Sequence, residues 1–233
     1  MLFGWFYFDW TILIVLPAFI ISLWAQIKVN STFKKYAKVY TRRGMTGADA
    51  ARRILASHGL HHIKVEHIRG QLTDHYDPRA NVIRLSDAVY GSVSAAAIGV
   101  AAHEAGHAVQ HAEGYFPIRV RSAVIPMTRF GSMLAMPLFF IGLILAFPPL
   151  LLAGIALYSL VALFQLITLP VEFNASARAI RVLRSSGMLS EEELGGAKKV
   201  LTAAALTYVA ALLTSLLTLL RLIVLAGGRS NRR

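Results

Sequence analysis

The chain has 233 residues, of which 56% are hydrophobic and only 15% are charged, with a net charge of +12. A soluble domain carries roughly a quarter charged residues, so this composition excludes an ordinary soluble enzyme and asks for an apolar home. There are no cysteines, which excludes disulfides and leaves any metal to His and carboxylate ligands.

Residues 5–27 hold one charge, Asp9, at their outer edge, and no basic residue precedes them. With no basic leader and no small-residue cleavage site, this segment reads as an uncleaved anchor. Residues 130–147 and 150–169 are free of charge, as are 201–220, which are richer in Ala and Thr. Each approaches the ~20 residues that cross a ~30 Å hydrocarbon core. Three spans follow, and a fourth candidate.

Charge placement orients them. No Lys or Arg lies in 1–27, whereas fifteen lie from Lys28 to Arg129, and Arg178, Arg181, Arg184, Lys198 and Lys199 lie between the third and fourth spans. The positive-inside rule places both stretches in the cytoplasm, against anionic headgroups. The bilayer is the partner this charge fits, and nucleic acid is not. Four spans would put Arg229, Arg232 and Arg233 outside, so the fourth segment either stops short of crossing or is outvoted.

Between the spans, residues 28–43 form a basic linker. Thr46 is placed to cap a helix through Ile54 and Leu55 that stops at Gly59. Residues 63–68 alternate as a strand does, and 82–85 form a second strand after a turn at 77–81. That second strand is expected to offer an edge to an extended substrate. Residues 94–112 form an Ala-rich helix ending at Gly114. Pro148-Pro149 join the second and third spans into a hairpin. Residues 171–186 continue as helix to Gly187, and Ser190 with Glu193 makes a capping box that opens the last helix.

The Ala-rich helix reads His103-Glu104-Ala105-Gly106-His107. Residues four apart stack on one helical face, so both imidazoles can reach one ion, and Glu104 beside them can act as general base. The bland alternative is a His pair that merely satisfies a core. A catalytic zinc takes a third protein ligand. His111 extends the series, but it lies ~12 Å from His103 along an unbroken helix, too far to share an ion. Glu172, at the exit of the third span, is favoured, since a carboxylate beside hydrocarbon needs a partner or a metal. Its alternative is a first-turn glutamate held by the helix dipole. On the same helix Asn174, Ser176 and Arg178 are in reach of supporting roles: Asn174 to orient a ligand His, Arg178 to pair with a carboxylate or a developing oxyanion.

The blocks at 72–86 (LTDHYDPRANVIRLS), 99–111 (GVAAHEAGHAVQH), 168–179 (TLPVEFNASARA) and 196–210 (GAKKVLTAAALTYVA) resemble the membrane-bound neutral zinc metallopeptidases of bacteria, the YugP-like family. The resemblance covers nearly the whole chain. It implies a Zn²⁺ cofactor held by His103, His107 and Glu172, with Glu104 catalytic. Where relatives usually read EFDAS, this chain has Asn174. His75 or Tyr76 is expected to donate to the oxyanion, although a turn at Asp77-Pro78 explains half of that block without catalysis.

The fold expected is mainly α: a polytopic membrane protein with three or four transmembrane helices and a small α+β zincin-like catalytic domain at the cytoplasmic face. Its parts are an anchor (1–27), a catalytic domain (28–129), a transmembrane hairpin (130–169), a cytoplasmic helix with the third ligand (170–200), a fourth span (201–226) and a basic tail (227–233). The function expected is zinc-dependent endopeptidase of the bacterial cytoplasmic membrane, acting on a polypeptide such as a membrane protein segment. The rivals are an adaptor or chaperone-like scaffold with structural zinc, and an intramembrane protease. The second would want the His pair inside a hydrophobic span.

Overall fold

The computed structural model describes residues 9–230, with side chains to 228; Trp5–Phe8 of the expected first span and Asn231–Arg233 of the tail lie outside them. Among the described residues there are six helices and one small sheet: α1 (Ile12–Tyr36), α2 (Gly47–Ser57), β1 (Lys64–Ile68), β2 (His75–Asp77), β3 (Val82–Ser86), α3 (Ala95–Ala112), α4 (Phe116–Ile144), α5 (Pro148–Ser185) and α6 (Glu191–Ser230). The protein is mainly helical, as expected.

α1, α4, α5 and α6 are each long and apolar enough to cross a membrane. Only 11–28% of their most apolar windows is buried within the protein itself. That much exposed hydrocarbon calls for a nonaqueous cover. α5 runs unbroken through Pro170, so the third span and the helix after it are one element. α6 likewise joins the Ser190–Glu193 box to the fourth apolar segment.

The chain divides into two compact units. In the first (9–24, 124–166 and 209–230 of the described residues), α4 and α5 approach closely at Gly154, where a Cβ would stand 2.7 Å from that of Phe139. The lone charge of the first apolar segment is matched there. Asp9 pairs with Arg221 at 2.6 Å, and Ser22 hydrogen-bonds Thr214.

The second unit (25–123 and 167–208) holds the sheet, α2 and α3. Thr46 caps α2 with a full capping box to Asp49, and Gly59 follows in the left-handed region. α2 lays Ala48, Ala51, Ile54 and Leu55 into the main core, together with Ile83, Leu85 and Ile98.

The sheet order is β1-β3-β2, with β1 parallel and β2 antiparallel to β3. This corrects one expectation. β3 is the central strand, its backbone groups already paired on both sides, so it has no edge to offer. The edges are β1 and β2. The short β2 escaped the sequence reading because His75-Tyr76-Asp77 carries no apolar alternation.

α3 starts at the Ser94 cap and is buried almost all round. Its Ala and Gly content answers to that crowding. A Cβ on Gly106 would stand 2.9 Å from the Ala175 carbonyl oxygen of α5, and one on Gly99 would stand 3.1 Å from Ala197 Cβ of α6. Small residues therefore let α5 lie against the turn of α3 that carries the His pair.

Candidate metal centre

One helical turn brings the His103 and His107 rings to 4.7 Å between centroids. α5 then delivers Glu172 into the same space. Its Oε2 lies 3.2 Å from His103 Nε2 and 3.5 Å from His107 Nε2. Ligand atoms of the three residues lie within 4.8 Å of one another. Glu172 is only 2% exposed, and a buried carboxylate needs counter-charge. Two imidazoles and Arg121, whose Nη1 is 3.3 Å from Glu172 Oε1, surround it.

The ring nitrogens facing away from Glu172 are also occupied. Gln110 donates from Nε2 to the Val171 carbonyl and to Asn174 Oδ1, both at 2.9 Å. Its amide oxygen is thereby left as an acceptor, and it meets His107 Nδ1 at 3.0 Å. His107 must then carry its proton on Nδ1, which leaves the Nε2 lone pair free for a metal. Asn174 Oδ1 also accepts from Arg178 Nε at 2.7 Å, and Arg178 is braced by Glu113. Ser176 Oγ meets His103 Nδ1 at 3.1 Å and holds that ring from the side away from Glu172.

Burial would push His107 below its ordinary value, but the hydrogen bond to Glu172 and the charges of Glu104 and Glu172 outweigh it and hold the imidazole above. A pocket that draws a proton onto a buried imidazole attracts cations. With two preset imidazoles and one carboxylate, this donor set fits zinc.

Glu104 is buried on the adjacent helical position, and its side chain makes no hydrogen bond or ion pair among the described residues. Tyr76 reaches α3 from β2 with its ring edge-on to His111 at 5.6 Å. His111 stands outside the three-residue cluster. His75 is exposed, its Nδ1 2.8 Å from the Thr73 carbonyl. Arg178 is engaged with Asn174 and Glu113 rather than with Glu172.

The rest of the 74–77 block has structural work. Asp74 accepts from the Ser86 amide at 2.7 Å and the Ser86 hydroxyl at 3.0 Å, and burial pushes its carboxyl up. Asp77 accepts from Arg79 and Ala80 amides in the turn and pairs with Arg84 at 3.0 Å.

Sequence reasoning missed Gln110 and Arg121. Gln110 had a signal: it lies three residues past His107, one turn along the same face. Replacing it by Ala should weaken zinc binding about 10–100-fold, the usual loss when a ligand's hydrogen-bond partner is removed. Competition with a chromophoric chelator would measure it, and an unchanged affinity would dismiss the tautomer argument.

Fold and site together define a protein with membrane-spanning candidate helices and a buried two-His, one-carboxylate centre. The family model described as "Putative neutral zinc metallopeptidase" matches residues 11–227, and the chain belongs to that family. It is 50% identical to the "Putative membrane protease YugP" of Bacillus subtilis over 221 residues, covering 94% of this chain and 98% of the relative. No solved structure gives a significant match.

Proposed function

We propose that this chain is a zinc-dependent membrane endopeptidase whose ion is held by His103, His107 and Glu172. The observation that carries the reading is the convergence of those three ligands beside an unpartnered, buried Glu104. Zinc, when bound, would polarise the scissile carbonyl and acidify the attacking water.

The residues of the chain supply the rest. Glu104 takes the proton of the attacking water and passes it to the leaving amine. We assign the developing oxyanion to Arg121, whose Nη1 is held 3.3 Å from Glu172 Oε1 beside the ligands. Among the described residues the outer edge of β2 pairs with no other strand, which leaves it for an extended peptide, and Tyr76 ties that strand to α3. Tyr76 and His75 thus stand where substrate would lie. The Lys and Arg distribution supports a cytoplasmic catalytic unit in the bacterial membrane, and a membrane protein segment or bilayer-delivered polypeptide as substrate.

The test uses the full chain purified in detergent. It should contain about one zinc per chain, cleave a quenched fluorescent polypeptide, lose cleavage on chelation and regain it with added zinc. Cleavage that persists after verified metal removal would overturn the proposal.

A further inference from the structure

A second feature of the same unit has no part in that chemistry. The C-terminal turns of α1 and the N-terminal turns of α6 enclose a groove of about 570 Å³, whose lining includes Lys28, Lys35, Lys198, Lys199, Tyr36 and Thr202. All four lysines are exposed, and none is in an ion pair among the described residues. Two of them are gathered by one ring: the Lys35 and Lys199 ammonium groups lie 5.7 Å and 5.8 Å from the Tyr36 centroid. The wall is close-packed, since a Cβ on Gly196 would stand 2.7 Å from Tyr36 Cδ1. Tyr36 therefore cannot swing into α6 to let the charges spread.

Four like charges gathered on a fixed wall repel one another unless an anion joins them. Their sequence positions say which anion. Lys28 is the first basic residue after the first apolar segment, and Lys198 and Lys199 are the last before the fourth. Both helices thus carry these lysines where their apolar stretches end, at the level of lipid headgroups. The groove continues onto Ala203 and Leu206, which suit acyl carbon rather than a free ion or a nucleic acid backbone.

We propose that this groove binds the headgroup of an anionic phospholipid, with the lysines around the phosphate and Thr202 beside it. The full chain in detergent, titrated with phosphatidylglycerol or phosphatidylcholine and read by native mass spectrometry, tests the idea. The expected result is about tenfold preference for phosphatidylglycerol, lost in the variant carrying K28Q, K35Q, K198Q and K199Q. A control carrying R69Q and R79Q, two exposed arginines of the sheet loops, should keep the preference. Should the quadruple variant not fold, the pairs K28Q/K35Q and K198Q/K199Q should each lose several-fold of the preference. Equal binding of both lipids, or an undiminished preference in the lysine variants, would overturn the proposal. Displacement of the lipid by millimolar inorganic phosphate would overturn it in favour of a free-phosphate site.

Discussion

Replacing Glu104 by Gln is expected to leave zinc in place and to slow peptide hydrolysis about 10³-fold, within the range for loss of a general base. That corresponds to about 4 kcal/mol of transition-state stabilisation. Gln keeps the shape of Glu and loses only the proton-accepting carboxylate. The Glu104 side chain contributes no hydrogen bond or ion pair among the described residues, so stability should barely move. Its charge does bear on His107, and its removal takes away one of the influences that hold that imidazole up. The measurements are zinc content, thermal unfolding and kcat with the same polypeptide. Zinc retained and cleavage lost identifies an enzyme. Zinc retained and cellular function unchanged would instead identify a scaffold that keeps the metal for folding.

The second large effect concerns Glu172. Its replacement by Ala should weaken zinc binding by more than about 100-fold, beyond the loss seen for a mere supporting residue. It also leaves Arg121 without its buried counter-charge, which destabilises the site independently of metal. Glu172→Gln separates charge from packing, because it keeps the volume and an acceptor for Arg121 while removing the charge. Both variants should lose zinc, and the Ala variant should also unfold at a lower temperature. His111→Ala should keep zinc, because His111 packs on Tyr76 outside the ligand cluster. Zinc lost in the His111 variant and kept in both Glu172 variants would overturn the ligand set.

The pairing of Gln110 with Asn174 bears on the departure at position 174. A carboxamide there still offers Oδ1 to Gln110 and to Arg178. The hydrogen-bonded line from Glu113 through Arg178, Asn174 and Gln110 to His107 is therefore complete without a charge at 174. What the line needs at that position is an acceptor.

Sequence by itself determined everything that rests on local spacing. The i,i+4 pair at His103 and His107 must share a helical face, Thr46 and Ser190 are placed to cap the helices that follow them, and uncharged runs long enough to span hydrocarbon announce themselves. Glu172 was legible for a related reason, as the only acidic residue between Glu113 and Glu191, set at the end of an apolar run. Tertiary packing alone decided the rest. The approach of α5 to Gly106 set Glu172 against the imidazoles, and it linked Gln110 to Val171 and Asn174, 61 and 64 residues away. It brought Arg121 to the same carboxylate, and it placed β3 between its neighbours, leaving β2 at the edge. Contacts between distant segments depend on which faces pack and how closely, and helical or strand periodicity carries no record of that choice.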